Sequence, residues 1–404
     1  MTNNELELYI HIPFCKRKCN YCDFVSFAGC EDQIDNYLDA LCNEIISAAK
    51  EYRDRTIVSV YIGGGTPSIL NCGQISRLIN TLLLEFQISG IFEKRKGRFL
   101  QKKIRAKTEF TLECNPGTID KEKIQTYKKL GVNRLSIGLQ STDQNDLNML
   151  GRIHDYQDFA ETFELAREEG FDNINVDLMQ AIPGQTLAAW KRVLAVLATW
   201  KPEHISAYSL IIEDGTPFKE KYDAGLLNLP TEETEREIYY YTRDFLGKAG
   251  YQRYEISNYA VPGFECFHNI GYWVRRDYLG LGLNASSMIQ NVRWKNTSDL
   301  VSYLKSWQNN TAQAFSDRAR EEEETLSHSE QMEEFVFLGL RMTEGIDKLK
   351  FFEIFHQDFD YTYGETLRKL KNLDLLKVDG NKVYLTDRGF DVSNLVLAEF
   401  LTER

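Results

Sequence analysis

Three cysteines, Cys15, Cys19 and Cys22, follow a short apolar run at C-x3-C-x2-C spacing. Thiolates are soft ligands, and three on one tight loop suit an iron–sulfur cluster. A cube of four irons held by three cysteines leaves one iron without a protein ligand. That iron can take a small molecule through an amino and a carboxylate group. Structural zinc competes for the same residues, but it commonly takes four ligands in two pairs. Here Cys30 lies nearby and no second pair follows. Three unconnected core cysteines are the other alternative, yet Lys16, Arg17, Lys18 and Asn20 between them are not core residues.

Two further groups carry chemical potential. The first is spread along the chain as Gly63-Gly64-Gly65-Thr66-Pro67, Glu113-Cys114-Asn115-Pro116, Gln140, Arg152 and Asp177. Glycines let a backbone approach a ligand closely. Gathered at one mouth, two carboxylates, an amide and a guanidinium can bind a zwitterionic amino acid and a ribose diol; separately, each is an ordinary cap, turn or ion pair. The second group is Cys266-Phe267-His268-Asn269-Ile270-Gly271-Tyr272-Trp273. An imidazole at His268 beside Tyr272 and Trp273 can meet heme iron, with the aromatics on the porphyrin face, and Cys266 is another possible iron ligand. Equally, His268 can fix a strand–loop junction by hydrogen bonds.

The elements between these residues alternate. Strand patterns at Leu6–Ile12, Thr56–Ile62, Glu109–Glu113, Arg134–Leu139, Asn173–Leu178 and His204–Ile212 are separated by helical patterns. Such alternation implies parallel pairing, and six units predict an α/β fold with a partial (β/α)6 barrel spanning residues 1–215. Ligand-binding residues then fall at the C-terminal ends of the strands. Residues 216–305, with a helix over Thr231–Ala249 and a strand-like Tyr251–Tyr259, read as a barrel extension carrying the His268 segment. Residues 306–325, with Asn309-Asn310 and the acidic run Glu321–Glu324, read as a linker. Residues 326–404 show helices followed by an Asp379-Gly380 hairpin, which predicts a small winged-helix-like α+β domain.

The chain has 404 residues, enough for about two or three domains. Its 48 basic and 60 acidic residues give a net charge of −12, which argues against nucleic acid as the main partner. No apolar run is long enough to cross a bilayer, and the first residues lack a signal-peptide pattern. Eight cysteines in this length are no disulfide scaffold. The expectation is a cytoplasmic protein. The basic stretch between Phe92 and Lys107 reads as a solvated insertion, or else as a docking patch for an acidic partner.

Tyr9-Ile10-His11-Ile12-Pro13-Phe14-Cys15 with its cysteine loop, Gly-Gly-Gly-Thr-Pro, Glu-Cys-Asn-Pro and Gly151-Arg152-x-His154 resemble the radical SAM, oxygen-independent coproporphyrinogen III oxidase-like family. The resemblance implies a [4Fe–4S] cluster on Cys15, Cys19 and Cys22. It implies S-adenosylmethionine (SAM) held by Gly64, Gly65, Thr66, Glu113, Gln140, Arg152 and Asp177. His268-Asn269-x-x-Tyr272-Trp273 is similar to the mark of a heme-chaperone branch. That likeness implies heme at His268, Tyr272 and Trp273, and delivery to an apo-hemoprotein such as a membrane respiratory cytochrome, with a homodimer also conceivable. The alternative is the radical SAM decarboxylating oxidase or another radical SAM enzyme. Phe24 stands where the oxidase carries a fourth cysteine, and the first strand begins with no long extension before it. Ser286 stands where the chaperone branch usually has histidine. No catalytic residue is assigned.

Overall fold

Leu6, Leu8, Ile10 and Ile12 alternate with Glu7, Tyr9 and His11 along strand β1 (Glu5–Ile12). The apolar set joins the main core, while the polar set turns to the opposite face of the sheet. The same alternation recurs in β2 (Thr56–Gly64), where Val60 and Ile62 pack outward and Ser59 and Tyr61 inward. This period-two pattern makes the inside of the sheet polar while helices cover its outside. The computed structural model describes residues 4–88, 108–308, 314–316 and 320–401. The basic stretch between Phe92 and Lys107 lies outside the described residues.

Strands β3 (Glu109–Cys114), β4 (Arg134–Gln140), β5 (Ile174–Gln180) and β6 (His204–Ser209) follow. Each pairs in parallel with its predecessor, β1 to β6, as the alternation predicts. Helices Ile34–Tyr52, Cys72–Glu85, Lys121–Lys129, Tyr156–Glu168 and Leu187–Trp200 connect them. Four of these connecting helices open on a capping side chain (Asn71, Asp120, Asp155 and Thr186), which satisfies a free N–H of the first turn. The fold is an α/β partial (β/α)6 barrel followed by a small α+β domain.

The sheet extends past both barrel edges. Gln252–Arg253 (β7) and Asn258–Ala260 (β8) form an antiparallel pair beyond β6, so the segment read as one strand over Tyr251–Tyr259 is two. At the other edge β9 (Tyr278–Leu281) pairs in parallel with β1, and β10 (Ser286–Ile289), β11 (Val292–Lys295) and β12 (Glu321–Thr325) follow antiparallel. The result is a twelve-stranded sheet, ordered β12-β11-β10-β9-β1-β2-β3-β4-β5-β6-β8-β7.

The expected linker over 306–325 is corrected here. Trp307 ends a helix, Phe315 is buried against Tyr52 and Trp307, and Glu321–Thr325 is the edge strand. Charge explains why an acidic run pairs there. Glu324 lies opposite Arg293 and Glu321 opposite Lys295, and Lys295 also reaches Glu322 at 2.5 Å. Opposite charges across a strand pair stabilise the pairing.

The C-terminal domain has its own core. Helices His328–Gly339, Lys348–Phe355 and Phe359–Asn372 bring together Phe335, Phe351, Phe355, Phe359 and Tyr363. Its three-stranded sheet contains the hairpin Leu376–Asp379 and Lys382–Leu385, turned at Gly380. Glu334 ties this domain to the barrel by ion pairs with Arg275 (2.8 Å) and Arg293. No helix among the described residues is long and apolar enough to cross a membrane.

Candidate functional site

Phe14–Cys15 leaves β1 and forms a short parallel pair with Phe27–Ala28, which turns the intervening cysteine loop over the C-terminal ends of the barrel strands. Cys15 is buried, and Cys19 and Cys22 are partly exposed. All three line one cavity of about 420 Å³ together with Gly64, Gly65, Thr66, Glu113, Gln140, Arg152 and Asp177. The structure thus brings every expected cluster and SAM residue to a single mouth.

The contacts inside it are specific. Thr66 Oγ1 donates to Cys15 Sγ at 3.4 Å, and Arg152 Nη1 lies 3.5 Å from Cys19 Sγ. Arg152 Nη2 also reaches Asn115 Oδ1 (2.6 Å) and the Gly138 carbonyl (2.8 Å). Glu113 accepts from Tyr61 Oη at 2.8 Å and from the Gly64 amide at 3.1 Å. Burial pushes Glu113 up to about 7, Asp177 adds to the rise, and these two hydrogen bonds oppose it. Asp177 is raised as well, again mainly by burial, while Asn175 and Ser136 hold it by hydrogen bonds of 2.7 and 3.1 Å. Two buried carboxyls whose ionisation is suppressed are poised for a cationic ligand.

Glycine is needed twice in the Gly-Gly-Gly-Thr-Pro turn. Gly64 has φ +112°, and a Cβ there would sit 2.6 Å from the His11 ring. At Gly65 a Cβ would lie 2.8 Å from the Phe14 carbonyl and 2.9 Å from Cys15 Sγ. Backbone therefore packs directly beside the first thiol.

The donor set fits a cube better than a single ion. Among the described residues no three Cys, His, Asp or Glu side chains converge on one metal position. Cys15, Cys19 and Cys22 share one loop and line one cavity, a set that would suit a cube with each thiolate on a different iron. Burial raises Cys15, and raises Cys22 to about 11, so without metal these groups stay protonated. Among the described residues the buried Arg152 Nε has no hydrogen-bond partner, which leaves a donor for a bound carboxylate or thiolate.

Asn115 was missed as a site residue. It links Thr66 Oγ1 (2.9 Å) to Arg152 and so couples the glycine turn to the cation. Its position two residues beyond Glu113, at the end of β3, was the available signal.

The His268 segment lies elsewhere. It forms a short helix, Phe267–Trp273, whose N–H groups at Phe267 and His268 donate to Glu109 at the start of β3. This helix closes the opposite end of the barrel. His268 is 1% exposed; Nδ1 pairs with Ser59 Oγ at 2.8 Å and Nε2 with Tyr272 Oη at 3.0 Å. Its ring stacks on Tyr61 with centroids 5.1 Å apart. Burial, with Arg134 and Arg276, lowers it to about 3, so it is neutral. Both ring nitrogens are thus engaged by protein side chains. Tyr272 is held between His268 and Tyr278. Trp273 lies under the Arg341 guanidinium at 5.0 Å, so these rings are engaged by protein. Cys266 is fully buried against Glu109. Ser286 is exposed on β10 and does not line the cavity.

A parallel barrel with three cysteines and a glycine turn at its C-terminal mouth defines a radical SAM protein. Residues 9–197 match the Radical SAM superfamily, and residues 326–392 match the HemN C-terminal domain. The heme chaperone HemW of Lactococcus lactis is 36% identical over 98% of this chain and 97% of its own length. That of Bacillus subtilis is 35% identical over 98% and 99%. The coproporphyrinogen III oxidase HemN of Escherichia coli, a radical SAM enzyme, superposes with a TM-score of 0.82 at 26% identity, covering 98% of this chain and 90% of that one. The chain belongs to the heme chaperone HemW family.

Proposed function

We propose that this protein is a cytoplasmic heme-binding chaperone that transfers heme to an apo-hemoprotein, such as a membrane respiratory cytochrome. Membership of the HemW family supports the reading, and Phe24 in place of a fourth loop cysteine separates the chain from the decarboxylating oxidase. The single structural observation that carries the cofactor assignment is the convergence of Cys15, Cys19 and Cys22 with Glu113, Arg152 and Asp177 on one cavity.

Cys15, Cys19 and Cys22 hold the [4Fe–4S] cluster in this reading. Bound there, the cluster supplies an open iron position and SAM supplies its methionyl and adenosyl groups. Glu113 and the Gly64–Thr66 turn receive the methionyl amine, Arg152 its carboxylate, and Asp177 with Gln140 the ribose side. Arg152 also donates to Cys19 Sγ at 3.5 Å and so helps to position that ligand.

The test is transfer. Cluster-loaded protein carrying heme is mixed with an apo-cytochrome, and the recipient's spectrum is followed after separation. Appearance of holo-cytochrome supports the chaperone. No transfer, together with a vinyl product from coproporphyrinogen III, overturns it in favour of the oxidase.

A further inference from the structure

The cavity's outer rim has a composition that the cluster and SAM do not use. Phe24, Ile153 and Ile211 line it and are 62%, 56% and 67% exposed. Single exposed apolar side chains are ordinary, but three large ones on one rim mark a binding surface. Lys16, Arg17 and Lys18 line the same rim, are exposed, and form no ion pair among the described residues. Asp23 and Glu213 line the rim as well, so three consecutive cations stand there with two carboxylates, in a chain whose net charge is −12.

An apolar platform beside unpaired cations is complementary to a flat, apolar ring that carries carboxylates at one edge. We infer that the heme of the proposed function is held across this mouth, its ring on Phe24, Ile153 and Ile211 and its carboxylates at Lys16, Arg17 and Lys18. The inference rests on the heme-chaperone reading and moves the binding site from the His268 segment to the opposite end of the barrel. It also gives Phe24 a role: the position that carries a fourth cysteine in the oxidase supplies ring contact here. Among the described residues the one histidine lining the cavity, His154, is buried and bonded to the Leu139 carbonyl at 3.1 Å. Recognition is therefore by ring and carboxylates rather than by a preformed imidazole ligand.

The experiment is a Soret titration of the full-length, cluster-reconstituted protein with ferric protoporphyrin IX and with its dimethyl ester. Ile211→Glu and Phe24→Glu should each weaken binding at least tenfold. Leu349→Glu, at a residue 56% exposed on the C-terminal domain, should titrate as wild type. A K16E/R17E/K18E variant should lose affinity for the free acid while binding the ester as wild type does. Ile211 lies outside the cysteine loop, so its variant reports on the rim even if the charge reversals disturb the cluster. Rim variants that titrate like a saturable wild type overturn this site and leave the chaperone reading standing. A wild type without saturable binding overturns that reading itself.

Discussion

His268 Nδ1 lies 2.8 Å from Ser59 Oγ, inside the barrel and at the end opposite the cysteines. A side chain that reads as a metal ligand is thus a joint between the Phe267–Trp273 helix and strand β2. Its second nitrogen is committed to Tyr272 and its ring face to Tyr61. Removing it takes one partner from Ser59 Oγ and one from Tyr272 Oη and leaves a space beside an aromatic ring.

His268→Ala should therefore lower stability by about 2–4 kcal/mol. Urea unfolding of the apoprotein measures this. Heme affinity at a temperature where the variant is folded should remain that of wild type. A variant as stable as wild type that no longer binds heme would reverse the assignment made here.

Glu113 makes a pH-dependent prediction. Its folded value of about 7 exceeds the ordinary 4.5, chiefly through burial. In the ligand-free protein the contribution of Glu113 to stability is then fully present below pH 4.5 and is lost as pH rises through about 7. A cationic amine favours the ionised carboxyl, so SAM binding should tighten between about pH 6 and 8. Calorimetric titration across that range should show the trend, and Glu113→Gln should both weaken binding and flatten it.

Cluster content separates the cysteines. Cys15→Ser, Cys19→Ser and Cys22→Ser should each reduce iron and sulfide after reconstitution, whereas Cys30→Ser, Cys42→Ser and Cys72→Ser should not. Arg152→Gln removes the cation beside Cys19 and the contacts to Asn115 and Gly138. It should retain folding and lose iron to a chelator faster than wild type.

Gly65→Ala tests the close approach of backbone to thiol. The added methyl meets the Phe14 carbonyl at 2.8 Å, a backbone atom that cannot swing aside. The turn must shift, at a cost of about 1–3 kcal/mol. Reduced iron content alongside a lower unfolding midpoint is the expected pair of readouts. Gly184→Ala, where nothing lies within 4 Å but φ is +82°, should lower the midpoint without changing iron content.

The Glu334 ion pairs predict how the two cores are joined. Glu334→Ala leaves Arg275 without its carboxylate partner at a largely buried contact. The C-terminal domain should loosen from the barrel, seen as faster amide exchange at the Met342–Glu255 bridge with little change inside the Phe351 core. Exchange in Glu334→Ala that rises equally at the bridge and in the Phe351 core would refute that division.

Local signals determined much of this protein. The cysteine spacing, the glycine turn and the alternation of strand with helix rest on short-range rules: ligand geometry, φ freedom and side-chain period. Those rules place Glu113 and Gln140 at strand ends, Asp177 within the fifth strand and Arg152 in the turn after a short helix, before any tertiary contact is known. The polar alternation Glu7-x-Tyr9-x-His11 likewise encodes a barrel that is polar inside. Long-range pairing decided the rest. The parallel docking of β9 on β1 joins residues some 270 positions apart, and no local pattern specifies it. Glu321–Thr325 is a strand only because Arg293 and Lys295 offer an edge of opposite charge. His268 has one identity in sequence and two possible environments. Folding chose the buried one, because Ser59, Tyr61 and Tyr272 meet around it only once the barrel has closed.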